Sequence, residues 1–488
     1  MLALQALGLA PPGQPHASLD EARNGEGTSV PYVRNEERDK PYDTSKHDQG
    51  YAAYGEPPNI LLVLSDDHGY TDLTSRIDSN VATPVLGELL RNGMHFENAY
   101  ATAAQCVPSR AGLLSGRNQN TFGLWKNGVD AGFGQNTLPP RPKVTTIAEH
   151  VRDLGYTTGM AGKWHLGDVT DPNKNPGGRG FDWYFTGTLN HWHGNVRRTF
   201  DGVLVRQRDM TRTVDKRNRI DVTAEITESF IETHKANRWF FYWAPYGPHA
   251  PMLEDGDWYL EAFRQNFQPY SFYKDFENDA RLRGLALVHA IDTRMGLILG
   301  KLRSHNLEEK TLVLFSSDNG APLGLTWDKE NDYQRNVWRQ EPPHPLPLPM
   351  AAAEELRFVR DPESSYMGSD NIPLRGGKGS TWEGGVKVPM LAYWKGRIAP
   401  GQTMKQTVTT LDLTATIAQA AGIRMPPAEQ FDGVSLLPWL MGYTPPPRIH
   451  YQLFWHGVLG DTAVQSHGWK LRRSRETFLF DIENDPCK

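Results

Sequence analysis

The run Ile60-Leu61-Leu62-Val63-Leu64 is continuous and apolar, and one residue separates it from Asp66-Asp67. A strand with one wet face alternates apolar and polar residues. A short run without alternation belongs to a strand buried on both faces, as in a parallel sheet covered by helices. Leu312-Val313-Leu314-Phe315 and Trp239-Phe240-Phe241-Tyr242-Trp243 repeat the pattern. Helical spacing lies between these runs. In residues 145–154, Ile147, Val151 and Leu154 share a face and Gly155 stands where a C-terminal cap belongs. In residues 279–307, Leu285, Val288, Ile291, Met295, Ile298 and Leu302 keep helical spacing. Strands alternating with helices predict an α/β fold: a large mixed, mostly parallel sheet sandwiched by helices.

In such sheets ligands gather at the carboxyl ends of strands. Asp66-Asp67 follows the first run, and Asp318-Asn319 follows the Leu312 run at a similar offset. One Asp-Asp pair after a strand is usually a solvated turn. Two acidic pairs at equivalent strand ends predict a shared cluster of hard oxygen ligands, which suits calcium or magnesium better than zinc. The net charge of -5 gives no reason to expect nucleic acid as a partner, and no apolar run is long enough for a membrane helix. The chain has two cysteines, Cys106 and Cys487, too few for a disulfide framework or a thiolate zinc cluster.

Three regions are expected. Residues 1–57 are polar and rich in Pro and Gly after an apolar start (Met1 to Ala10) that lacks a preceding Lys or Arg. They read as a disordered or surface-draped extension with a weak export signal. Residues 58–444 form the catalytic domain. Residues 445–488 offer strand-like pieces at 451–455, 469–472 and 477–480, predicting a small C-terminal antiparallel β subdomain that is incomplete. Residues 327–370 make a long Pro-rich insertion, and residues 191–219 carry His191, Trp192, His193 and eight Lys or Arg from Arg197 on. Both are expected to wall a ligand site: cations suit anionic groups, and aromatic rings offer flat faces for stacking.

The segment Cys106-Val107-Pro108-Ser109-Arg110-Ala111-Gly112-Leu113-Leu114-Ser115-Gly116-Arg117 is the sharpest signal. Pro108 suits a helix first turn, which puts Cys106 just ahead of the helix at its positive end, with Arg110 one turn on. Cys-x-Pro-Ser-Arg followed by Leu-Leu-x-Gly-Arg resembles the signature of the formylglycine-dependent sulfatases, a family of the alkaline phosphatase-like superfamily. Two further blocks resemble it in order: Gly155-Tyr156-Thr157-Thr158-Gly159-Met160-Ala161-Gly162-Lys163-Trp164-His165, and Pro373-Leu374-Arg375-Gly376-Gly377-Lys378-Gly379-Ser380-Thr381-Trp382-Glu383-Gly384-Gly385. Gln105 and Val107 depart from the family's usual residues. Lys163 and His165, two apart, share a face if they lie on a strand.

The resemblance implies a sulfuric ester hydrolase with an alkaline phosphatase-like fold. A formylglycine-generating enzyme oxidises Cys106 to an aldehyde, whose hydrate attacks sulfur and later expels sulfate. It implies a calcium ion, or magnesium or manganese, held by Asp66, Asp67, Asp318, Asn319 and the hydrated residue 106. Arg110, Lys163 and Lys378 then surround the sulfate. His249, in Pro245-Tyr246-Gly247-Pro248-His249, protonates the leaving alcohol, and His165 contacts the formylglycine hydroxyls. The expected substrate is a sulfated carbohydrate or a small sulfate ester, met in an exported compartment. Two other readings stay open: a phosphonate monoester or phosphodiester hydrolase of the same superfamily, and a non-catalytic sulfated-glycan binder.

Overall fold

The computed structural model describes residues 55–73, 83–187, 200–206, 209–215, 218–249, 258–266, 279–322, 369, 371, 374–423, 431–458, 460–474 and 476–485. The expectations for residues 1–57 and 327–370, and for Cys487, lie almost wholly outside them.

Among the described residues ten strands make one sheet. They are β1 (Asn59–Ser65), β2 (Met94–Tyr100), β3 (Thr157–Gly162), β4 (Trp183–Gly187), β5 (Phe200–Arg206), β6 (Asp209–Asp215), β7 (Trp239–Ala244), β8 (Thr311–Ser317), β9 (Met390–Tyr393) and β10 (Gln402–Thr409), in the spatial order β10-β2-β9-β8-β1-β7-β3-β4-β5-β6. β5 and β9 run against the rest, so the sheet is mixed and mostly parallel, as expected.

The apolar runs are its centre. β1 pairs in parallel with β8 on one side and β7 on the other, and every residue of the three is buried. Their side chains alternate between two cores. Ile60, Leu62 and Leu64 join one, with Val107, Ala111 and Leu114 of the helix Cys106–Ser115. Leu61 and Val63 join the other, with Ile291, Met295 and Ile298 of the helix Asp279–Ser304. Each such side chain contributes about 1.5–3 kcal/mol relative to exposure, which fixes β1 as the sheet's axis.

The helix Ile147–Asp153 begins with a capping box: Thr146 accepts from the Glu149 N–H (3.1 Å), and Glu149 accepts from the Thr146 N–H (2.7 Å). Ile147 and Val151 are buried as the spacing predicts, but Leu154, just past the last turn, is 48% exposed. It is corrected to a surface residue.

A second correction concerns residues 191–219. Two of their stretches are the antiparallel strands β5 and β6, which extend the sheet at its edge beside β4. Arg219 opens the helix Arg219–His234. Residues 191–199 lie outside the described residues.

The C-terminal pieces form a four-stranded antiparallel sheet: β11 (Gln452–His456), β12 (Thr462–Ser466), β13 (Trp469–Arg473) and β14 (Thr477–Asp481). Three were expected; β12 was not. Among the described residues no helix is long and apolar enough to cross a membrane.

Candidate active site

Four adjacent strands, β8, β1, β7 and β3, point their carboxyl ends the same way and finish nearly level. Ser65 is opposite Ser317, and Gly162 is opposite Ala244. The residues just beyond are Asp318-Asn319, Asp66-Asp67, Pro245 to His249, and Lys163. The ends are stitched together: Asp318 N–H donates to Ser65 O (3.2 Å), Asp66 N–H to Gly247 O (3.0 Å), and Lys163 N–H to Ala244 O (2.8 Å). Gly162 sits at φ 117°, and a Cβ there would collide with Ala244 O. Only glycine lets the two strand ends come this close.

Asp66, Asp67, Asp318 and Asn319 are buried. Asp67 adopts φ 64°, a left-handed conformation that tends to mark functional sites. Its N–H donates to Asp318 Oδ1 (3.1 Å), and Asn319 Nδ2 donates to Asp67 Oδ1 (2.7 Å). The two acidic pairs thus meet, as the strand-end reading predicted.

Three cations converge on these carboxylates. Lys163 Nζ lies 2.7 Å from both oxygens of Asp66. Lys378 Nζ lies 2.8 Å from both oxygens of Asp67. Arg110 pairs with Asp318 Oδ2 through Nη2 (2.7 Å) and Nε (2.9 Å), and its Nη2 stands 3.4 Å from Asp66. Burial opposes ionisation of Asp66, but Lys163, His249, Arg110 and Lys378 outweigh it and hold its carboxyl well below the usual range.

Cys106 is the first residue of its helix, not the residue ahead of it, and Pro108 comes two positions later. The correction keeps Cys106 at the helix's positive end. Gln105, the capping residue, accepts the Asn127 N–H at Oε1 (2.9 Å), and Asn127 Oδ1 accepts the Val107 N–H (3.0 Å). One of the helix's orphan donors is thereby satisfied from a distant loop. Cys106 Sγ lies 3.7 Å from Asp66 Oδ1. Burial, with help from Asp318 and Asp66 and against Lys163 and Lys378, pushes its thiol up to about 12. At neutral pH it is a protonated thiol, a poor nucleophile.

The histidines divide. His249 Nε2 stands 3.6 Å from Asp67 Oδ2, with its side chain 18% exposed. Burial and Lys378 bring it down to about 4. His165 is not on a strand: β3 ends at Gly162, and His165 itself has φ 59°. Lys163 and His165 therefore do not share a strand face; the turn at Gly162 brings them to the site. His165 Nδ1 is buried without a hydrogen-bond partner, and burial, Lys163 and Arg110 keep the ring neutral at neutral pH.

A metal ion fits this donor set. Ligand atoms of Asp66, Asp67, Cys106 and His249 lie within 4.8 Å of one another. Asn319 Oδ1, buried beside them, has no hydrogen-bond partner. Asp318 and Asn319 adjoin the group through their bonds to Asp67. The sequence reading missed His249 as a member of this compact group, Tyr242, whose hydroxyl accepts from Arg110 (3.3 Å), and Tyr246, over which Arg219 sits at 5.0 Å. Tyr242 lies inside an apolar strand run, and nothing in the pattern marks it.

A doubly covered α/β sheet with carboxylates and cations gathered at its central strand ends is the architecture of the alkaline phosphatase-like hydrolases of anionic esters. The chain belongs within them to the sulfatase family: the family model described as Sulfatase matches residues 58–423. It is thus a sulfuric ester hydrolase. N-acetylgalactosamine-6-sulfatase of Canis lupus familiaris is 28% identical over 467 residues, which are 90% of this chain and 76% of that protein. Arylsulfatase A of Bos taurus is 29% identical over 444 residues, 86% of this chain and 75% of that one. The crystal structure of Ps i-CgsB superposes with a TM-score of 0.68 at 25% identity, covering 89% of this chain and 88% of that one.

Proposed function

We propose that the enzyme removes sulfate from a sulfated carbohydrate, using a formylglycine made from Cys106 and a calcium ion. The observation that carries this reading is the convergence of Arg110, Lys163 and Lys378 on Asp66, Asp67 and Asp318 beside the buried Cys106.

Asp66, Asp67, Asp318 and Asn319 would hold the ion, with residue 106 and His249 at its edge. All-oxygen donors favour calcium, or magnesium, over zinc. Bound there, the ion supplies positive charge that polarises a sulfate oxygen. Arg110, Lys163 and Lys378, held beside the carboxylates, would face the remaining sulfate oxygens and stabilise charge growing on them. His249 gives its proton to the departing alcohol oxygen; the negative sulfate beside it raises its proton affinity. His165, with Nδ1 uncommitted, takes a proton from the residue 106 hydroxyl.

The relatives named for N-acetylgalactosamine-6-sulfate support a sulfated sugar as substrate. Residues 58–444 are taken as the catalytic domain and 445–488 as a smaller unit, with the enzyme maturing in an exported compartment where a formylglycine-generating enzyme reaches it.

Mass spectrometry of the peptide carrying Cys106, from a host with the maturing enzyme, tests the reading. An aldehyde is expected, and an unmodified thiol overturns it. Turnover of an aryl sulfate above an aryl phosphonate separates the sulfatase from the phosphonate hydrolase. Cys106→Ala should abolish turnover while glycan binding persists.

A further inference from the structure

A second set of buried charges lies outside the catalytic cluster and ends on the turn that carries Lys378. The inner side of that turn faces the active site: Lys378 Nζ reaches Asp67, and its N–H donates to Ala321 O (3.0 Å). The outer side is held by the C-terminal sheet. Asp461, just before β12, accepts at Oδ2 from the Thr381 N–H (2.9 Å) and the Thr381 hydroxyl (2.7 Å). Arg472 of β13 pairs with the same oxygen at 3.2 Å. Lys470, two residues earlier and so on the same face of β13, pairs with Glu383 Oε1 at 2.7 Å. The Tyr100 hydroxyl donates to the other Glu383 oxygen at 2.8 Å. Both ion pairs are almost fully buried, with side-chain exposures of 1–3%. The guanidinium groups of Arg375 and Arg472 lie over the Trp382 ring at 4.1 and 4.3 Å. Val458 N–H donates to Gly379 O (3.0 Å), and Gly379 N–H donates to Ala104 O (2.7 Å), two residues from Cys106.

Buried ion pairs are a poor device for stability alone, because desolvation cancels much of their attraction and apolar side chains of the same volume do as well. A sheet that only covered surface would meet the turn with leucines. Here Asp461, itself held by Arg472, accepts two bonds from Thr381, and Lys470 pairs with Glu383, three and five residues after Lys378. Such bonds fix position and angle, which a catalytic cation needs within a fraction of an ångström.

We propose that Asp461, Arg472 and Lys470 are positioning residues: through Thr381 and Glu383, the C-terminal sheet sets where the Lys378 ammonium stands above Asp67. The inference rests on the reading of Lys378 as a group that binds the sulfate.

The test is a cycle on the matured full-length enzyme with an aryl sulfate as probe. Asp461→Asn should lower kcat about ten- to hundredfold with a smaller change in KM. In the Lys378→Ala background the same change should cost nothing more. Thr381→Ser, which keeps the hydroxyl, should retain kcat, and Thr381→Val should lose part of it. A proportional loss in both backgrounds overturns the proposal, as does a lower melting temperature with kcat intact. If Asp461→Asn does not fold, the Thr381 pair decides: equal kcat for Ser and Val overturns it. Full activity in Lys378→Ala alone would instead overturn the reading of Lys378.

Discussion

Ser65 and Ser317 stand opposite each other in the last rung of two parallel strands, and for that reason Asp66-Asp67 and Asp318-Asn319 meet. The register of β1 on β8 thus sets the geometry of the candidate site. The four strand ends also pack cations against carboxylates in a buried place, so the site is held together by charge balance, and removing one member leaves another exposed to a low dielectric.

Asp318→Ala should show this first. Arg110 would lose its nearest anion while fully buried, and an uncompensated buried charge of this kind costs about 3–5 kcal/mol. A urea or thermal unfolding curve of the metal-free protein should register the loss. A change within experimental error would mean that Arg110 finds another partner.

Calcium should raise the melting temperature of protein first stripped with a chelator. At a hundredfold excess over its dissociation constant the gain is about 2.7 kcal/mol. Asp67→Asn should lose most of that response, because Asp67 lies at the centre of the donor set. A calcium response equal to wild type in Asp67→Asn would place the ion elsewhere.

His249→Ala should matter in proportion to how badly the leaving group needs a proton. With an alkyl sulfate the loss should be about 10²–10⁴-fold in kcat. With an aryl sulfate, whose phenolate leaves more readily, it should be far smaller. Equal losses on both substrates would remove His249 from the role of acid.

Outside the candidate site, His450 Nε2 lies 2.8 and 2.9 Å from the two oxygens of Asp412. Burial opposes its charge, but Asp412 prevails and raises its proton affinity. A folded pKa above the unfolded value stabilises the fold fully below about pH 6 and fades as pH rises through the folded pKa. His450→Gln should therefore cost about 1.5–3 kcal/mol in acid and visibly less in alkali. Denaturation curves at the two extremes with the same difference from wild type would refute the linkage.

The parts legible in the sequence share one property: their pattern is dictated locally. β1, β7 and β8 are buried on both faces and read as unbroken apolar runs, so their ends, and the acidic pairs after them, could be placed. Glu149 three residues after Thr146 signals a helix start by itself. The rest depends on partners distant in the chain. β12, Thr-Ala-Val-Gln-Ser, is short and partly polar, and becomes a strand only because β11 and β13 flank it. β5 and β6 carry Asp and Arg among their apolar residues, so the basic character of residues 191–219 is more visible than their strands. Lys163 and His165 would share a face only on a strand, and Gly162 ends the strand and turns the chain before either residue. The bonds from Asp461 and Lys470 to the Lys378 turn join residues about eighty positions apart, which no local spacing announces.

The depth of Cys106 sets an order of events. With 1% of its surface exposed, the folded chain offers a modifying enzyme almost nothing to grasp. Asp318, which also faces this site, follows a strand that begins only at Thr311, far downstream. During synthesis the cysteine therefore exists for some time as an open peptide, before the strand that helps enclose it has been made. Any oxidation of Cys106 has to fall within that interval. On the proposed reading, in which turnover needs the aldehyde, a chain that folds faster would carry a larger share of unmodified thiol, and specific activity would report the timing of biosynthesis as much as the quality of the site.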